Sequence, residues 1–267
     1  MDETSTIITA TNLTKNFGTF EAVKGITFSV PTGSIFAFLG PNGAGKTTTI
    51  KMLTTLLKPT SGTLRLAGND PVTEQSKVRR AFGIVFQDTS LDDELTAEEN
   101  MELHGVLYGV PKDLRRARIT ELLGFVELLD RKDDLVKYFS GGMKRRLEIA
   151  RSLVHHPQIL FLDEPTVGLD PQTRNHLWQY IRTLSQKEGM TVFFTTHYME
   201  EAERMAEHVA IMDHGQIMTT GTPQELITQT KTRSLEDAFL SLTGHSIREE
   251  EANAQDGLRQ ARRMWRK

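Results

Sequence analysis

Three stretches of the chain combine residue types suited to handling a triphosphate. Gly40-Pro41-Asn42-Gly43-Ala44-Gly45-Lys46-Thr47 fits the phosphate-loop pattern, in which glycines let backbone N–H groups close round phosphates at a helix N-terminus. Lys46 would reach the β and γ phosphates, and Thr47 would offer its hydroxyl to Mg²⁺, with Thr48 beside it at the start of the helix. The helix dipole adds partial positive charge where the triphosphate is most negative. The second stretch, Ile159-Leu160-Phe161-Leu162-Asp163-Glu164, ends an apolar run in adjacent carboxylates. Asp163 suits Mg²⁺ held through its bound water, and Glu164 is placed to orient and deprotonate an attacking water. Alone, the pair would equally fit an exposed strand-end turn, since Pro165 and Gly168 follow; beside a phosphate loop the chemical reading is the stronger. The third stretch, Phe139-Ser140-Gly141-Gly142-Met143, places free N–H groups and a capping hydroxyl from Ser140 at a helix start, a second anion-binding arrangement.

The elements that must hold these residues can be read coarsely. Residues 5–38 form β-rich segments punctuated by Gly18, Gly25, Pro31 and Gly33. An apolar run at 34–39 leads into the glycine loop, and a helix is predicted over 46–57, stopped by Pro59. From 89 to about 151, charged and apolar residues mix at helix-like spacing, an inserted helical subdomain. Strands are expected at 159–163 and 190–196 with a helix between them at about 173–186, and that alternation implies a parallel α/β sheet with ligands at the strand ends. Short helices follow at 223–229 and 235–242, then a charged tail. In that tail Leu258, Ala261 and Trp265 could share a basic amphipathic helix with Arg262, Arg263 and Arg266, a frayed solvated tail being the preferred reading. No internal repeat is visible, so 1–230 reads as one domain and 231–267 as a small extension.

Bulk properties narrow the class. With 32 basic and 35 acidic residues in 267, net charge −3, bulk electrostatics give no reason to expect nucleic acid. The absence of cysteine removes disulfides and thiolate metal sites and suits a reducing compartment. Asp2 and Glu3 stand where a secretory signal would be basic, and the longest apolar runs fall short of the roughly 20 residues that cross a bilayer, so a membrane would be reached through a partner.

The class is narrowed by the segment Phe139 through Arg151, followed by Ile159–Asp163 with Glu164, then Val167-Gly168-Leu169-Asp170, then His197 after Thr195 and Thr196. In this order and spacing the sequence resembles the ABC ATPases over about 5–225. The resemblance implies a phosphate-loop NTPase fold, a RecA-like parallel sheet core with an amino-terminal antiparallel β subdomain and a helical subdomain at about 88–155. It implies that Phe17 stacks on adenine, that Gln87 reaches Mg²⁺ and the attacking water at the hinge into the helical subdomain, and that His197 is the switch histidine on the γ-phosphate. Ser140, Gly141 and Gly142 match the signature loop, which binds the γ-phosphate of ATP held by the other subunit; Asp170 matches the loop crossing between subunits. Phe139 and Met143 depart from the consensus Leu-Ser-Gly-Gly-Gln, while the serine and glycines are kept. ATP and Mg²⁺ are thus the implied cofactors. A homodimer sandwiching two ATPs, a separate integral permease docked near 89–108, and a place at the cytoplasmic face of the membrane are implied with them. The segment 234–244, with Ser140-Gly141-Gly142-Met143-Lys144-Arg145-Arg146 and Thr195-Thr196-His197-Tyr198-Met199-Glu200-Glu201-Ala202, is similar to the drug-export branch with an ABC-2 type permease. The alternative is a soluble non-transport ABC ATPase, but no second such domain and no long coiled coil is visible in the sequence. A regulatory module without turnover is disfavoured by Glu164, Gln87 and His197.

Overall fold

The computed structural model describes residues 6–244; the tail residues Leu258 to Arg266 considered above lie outside them. The chain opens with β1 (Thr6–Phe17) and β2 (Phe20–Pro31), then β3 (Ile35–Leu39), α1 (Lys46–Leu53), β4 (Ser61–Leu66), α2 (Gln75–Ala81) and β5 (Phe82–Val85). A helical block follows, α3 (Ala97–Leu107), α4 (Lys112–Phe125) and α5 (Gly141–Ser152). The core resumes with β6 (Ile159–Asp163), α6 (Pro171–Glu188), β7 (Thr191–Thr195), α7 (Met199–Met205), β8 (His208–Asp213) and β9 (Gln216–Gly221), and ends with α8 (Pro223–Thr230) and α9 (Leu235–Thr243).

β3, β6 and β7 are buried at every position. Such runs do not alternate in polarity because both faces of the sheet are covered. The pleat nonetheless sorts them. Ala37, Leu39, Leu160, Leu162, Val192 and Phe194 face one core with Trp178 and Ile181 of α6 and Leu147 of α5, while Phe36, Phe38, Phe161 and Phe193 face the other with Ile50 of α1 and Ile8 and Val23 of the first sheet. That first sheet is antiparallel in the order β2-β1-β4, its third strand arriving only after α1. The larger sheet runs β5-β6-β7-β3-β8-β9.

The expected parallel core is present, with one unforeseen strand added to it and one helix boundary moved. The large sheet is parallel through β8, but β9 is an antiparallel edge strand. It folds back through His214 and Gly215, whose φ of 44° and 83° give the two-residue turn that suits a hairpin. Helix α1 stops at Leu53 rather than at 57: Thr55 takes φ 64°, and the N–H groups of Leu56 and Leu57 both return to Lys51 O at 2.8 and 2.9 Å. The helices expected near 173–186, 223–229 and 235–242 are present as α6, α8 and α9.

In the helical block, α3 starts on a capping box between Thr96 and Glu99. α5 starts on Ser140, whose Oγ accepts from Met143 N at 3.3 Å. Arg118 of α4 reaches Glu188 at the end of α6 with Nη2 2.6 and 2.7 Å from the two carboxylate oxygens, tying the block to the core. Among the described residues no helix is long and apolar enough to cross a membrane.

Candidate active site

At the C-terminal ends of β3 and β6 a cavity of about 290 Å³ is lined by Phe17, Phe20, Ala22, Pro41, Asn42, Gly43, Gly45, Lys46, Thr47, Thr48, Gln87, Asp163 and Glu164. The glycine loop is shaped by close approach. A Cβ on Gly40 would lie 2.2 Å from Met212 O, and one on Gly45, at φ 110°, would lie 2.7 Å from Ala22 O. Ala44 is buried in the loop wall. Lys46 is 8 % exposed and lies along its own loop, Nζ donating to Gly40 O at 2.5 Å and Pro41 O at 3.0 Å.

Opposite the loop, Asp163 accepts from Thr195 Oγ1 at 2.6 Å. Burial pushes its carboxyl above the usual range and Glu164 adds to this, against the Thr195 hydrogen bond and the charges of Lys46 and Arg145. Glu164 has a left-handed backbone, φ 51°, a conformation costing roughly 1–2 kcal/mol for a residue with a Cβ. Its N–H is held by Thr195 O at 3.2 Å and Thr195 Oγ1 at 3.1 Å. Strained backbone of this kind persists where its surroundings over-determine it. The Glu164 carboxylate accepts from His197, Nδ1 to Oε2 at 2.7 Å, with both side chains mostly buried.

The structure thus gathers the phosphate loop, Gln87, Asp163, Glu164 and Phe17 around one cavity, with His197 bonded to Glu164 behind it. Ser140, Gly141, Gly142 and Asp170 are elsewhere. Ser140 and Gly142 line a separate hollow of about 140 Å³ with Glu127, Met143, Arg146, Thr173 and His176. Asp170 caps α6, its Oδ1 accepting from Gln172 N and Thr173 N at 3.0 Å and its Oδ2 from Thr173 Oγ1 at 2.6 Å. Those bonds, the Thr173 hydroxyl first, hold its carboxyl below the ordinary range. Thr173 also lies against the 140–142 loop, since a Cβ on Gly142 would meet its Cγ2 at 2.7 Å.

Sequence reasoning missed two contributors. Phe20, 64 % exposed, lines the cavity because the turn at Gly18 pairs it with Phe17 across the β1–β2 hairpin; Gly18 was the available signal. Thr195, buried at the end of β7, holds both acids, and its adjacency to His197 hid that separate role.

A glycine loop opening a helix beside paired acids on the edge of a mostly parallel sheet defines a phosphate-loop nucleotide-binding protein. The model of the ABC transporter family matches residues 23–167. The daunorubicin/doxorubicin resistance ATP-binding protein DrrA of Streptomyces peucetius is 45% identical over 82% of this chain and 66% of its own length. The Nod factor export ATP-binding protein I of Ralstonia nicotianae is 43% identical over 83% of this chain and 69% of its own. The chain therefore spans about two thirds of the length of these relatives. A dimeric ATP-binding cassette in a post-hydrolysis state, bound to ADP and Pi, superposes with a TM-score of 0.72 at 29% identity, covering 80% of this chain and 98% of the other. The chain belongs to the ABC transporter family.

Proposed function

We propose that this chain hydrolyses ATP to drive a separate membrane permease exporting drugs or other small amphipathic compounds. The observation that carries the catalytic part is the cavity in which the Lys46–Thr48 helix start faces Gln87, Asp163 and Glu164, with Glu164 hydrogen-bonded to His197. In this reading Phe17 carries adenine, and the loop N–H groups from Gly40 to Gly45, with Lys46, Thr47 and Thr48, hold the phosphates. Glu164 takes the proton of the attacking water, and Gln87 and His197 orient water and γ-phosphate.

The residues present fit Mg²⁺. Thr47, Gln87 and Asp163 offer hard oxygen donors around one cavity. Among the described residues no group of three or more His, Cys, Asp or Glu could hold a metal ion, so a cation here would share its ligands with nucleotide oxygens and water. When bound, Mg²⁺ neutralises charge developing on the β and γ oxygens. Thr195, bonded to Asp163 Oδ1, fixes that carboxylate, which would help to hold the cation.

Ser140, Gly141, Gly142 and Asp170 complete the site of a second copy in a two-fold dimer, and loss of the bridging γ-phosphate lets the dimer open. The dimeric cassette found with ADP and Pi supports this arrangement. The permease, proposed as ABC-2 type, would dock near 89–108 in the helical subdomain, where Leu103, Val106 and Leu107 leave large apolar side chains exposed. Export is supported by the resistance and export relatives. The working position is then the cytoplasmic face of the membrane. The test is Glu164→Gln, which should lower turnover by at least ~10² while ATP still binds, as loss of a general base does; wild-type turnover would refute the role.

A further inference from the structure

One residue outside the cavity grips two of the backbone segments that carry hydrolytic groups, the Glu164 turn and the strand end before Gln87. Arg145 lies in α5, one turn after the Ser140 cap, with its side chain only 8 % exposed. Its guanidinium has five N–H donors, and five acceptors meet them. Nε donates to Pro165 O at 2.8 Å; Nη2 donates to Glu164 O at 3.1 Å and Asp163 O at 3.3 Å; Nη1 donates to Phe86 O and to Glu148 Oε2, the latter at 3.1 Å. Phe86 is the residue before Gln87, and 163–165 is the turn in which Glu164 holds its left-handed backbone.

The next two turns of α5 extend the grip. Glu148, 1 % exposed, accepts at Oε1 from Ser90 N at 2.8 Å and Ser90 Oγ at 3.3 Å. Arg151 donates to Ser90 O at 2.8 Å and to Ser90 Oγ. Residues 145, 148 and 151 recur at the spacing of one helix face, so a single rigid ridge holds both ends of the Gln87 segment and the carbonyls of the Glu164 turn. Buried charges are costly unless hydrogen-bonded, and for Arg145 the cost is offset by main-chain carbonyls of the two segments that must be aligned for hydrolysis. Lysine could not substitute, having three donors on one atom instead of a planar fork.

We propose that Arg145, supported by Glu148 and Arg151, is a positioning residue for ATP hydrolysis, locking the Glu164 turn and the Gln87 segment to the helix that Ser140 caps. The inference rests on the reading of Glu164 as base and of Ser140 as contact to a second copy's nucleotide. Under it, any displacement of α5 as the second copy engages Ser140 is passed to the base and to Gln87 through these carbonyls. Geometry of attack, rather than nucleotide affinity, is what the ridge sets.

The experiment compares Arg145→Lys with the unaltered full chain, with and without Glu164→Gln, measuring kcat and KM for ATP with magnesium and the equilibrium affinity for ATP. Arg145→Lys should lower kcat about 10- to 100-fold, the scale of a misplacement near 1 Å, with KM and affinity within about twofold. In the Glu164→Gln background it should cause no further loss, because both changes strike one step. An unchanged kcat per folded molecule, the same fold-loss in both backgrounds, or a rise in KM alone would overturn the proposal. Should Arg145→Lys fail to fold, Glu148→Gln, which keeps an acceptor for Ser90 N–H but weakens the hold on Arg145, is read identically, and an unchanged kcat there overturns it too. Wild-type turnover in Glu164→Gln alone would remove the base assignment and this inference together, whereas a normal loss there with additive Arg145 effects removes only the inference.

Discussion

The two glycine loops that open α1 and α5 share one local chemistry and have opposite surroundings. Both place free N–H groups at a helix start, where an anion is favoured. The loop before α1 is closed in by Met212 and Ala22, carries Lys46, and faces Gln87, Asp163 and Glu164 across its cavity. The loop before α5 is exposed at Ser140 and Gly141, and its hollow holds the Arg146–Glu127 ion pair, Thr173 and His176. One cradle faces a lysine and two acids across its cavity, while the basic groups beside the other are already paired, Arg146 with Glu127 and Lys144 with Asp93. An anion site of the second kind gains its purpose from a surface that another molecule brings, which is why the proposed site is divided between two copies.

Ser140→Arg should break the second loop without touching the first. Hydrolysis should fall by about 10³, the upper range for losing an oxyanion-type contact, while ATP affinity of the single chain is unchanged. Mixing that variant with Lys46→Ala should bring activity back, because one intact composite site re-forms in each mixed pair; continued inactivity of the mixture would contradict the division.

Acid should separate the two loops by stability. On the α5 side, His104 stacks near Tyr108 at 4.6 Å, and Tyr108 stacks on His155 at 3.8 Å. Burial drives the His104 pKa down to about 3, with Arg151 and His155 adding to this, and drives His155 down to about 4 against a hydrogen bond to Phe82 O. Depressed folded-state values mean that the unfolded chain binds more protons below pH 6.5, so stability is full above that pH and drains as pH falls toward 3–4. From pH 6.5 to 5.5 the two imidazoles together should cost about 2 kcal/mol. Hydrogen exchange across that range should show α3 and the end of α5 losing protection while α1 keeps it. Replacing His104 and His155 with phenylalanine should flatten the response.

The smallest effect concerns the first loop's outer wall. Phe17→Ala and Phe20→Ala should each weaken ATP binding about fivefold, the worth of one aromatic stack of about 1 kcal/mol, with kcat retained. An effect at Phe17 alone would show that the hairpin supplies one stacking face.

The chemistry was legible in the sequence where it is local. Lys46 and Thr47 sit inside one glycine loop, and Asp163 and Glu164 end one apolar strand, so spacing alone fixes their geometry. Ser140 was legible as a cap for the same reason. What stayed hidden depends on distant pairing. Phe20 reaches the cavity through a hairpin register, Thr195 meets Asp163 across neighbouring strands, and Arg145 finds carbonyls on two segments far from it in the chain. The antiparallel β9 and the short β5 and α7 are too brief for periodicity to identify, and α1 ends early because Thr55 turns left-handed, which no residue type there announces.

The division of the site between copies is tested most directly by weighing the Glu164→Gln chain in solution by light scattering, with and without ATP and magnesium. The account predicts a monomer without nucleotide and a stable dimer with it, abolished by adding Ser140→Arg. A chain that stays monomeric at saturating ATP, or a dimer indifferent to Ser140→Arg, would contradict it.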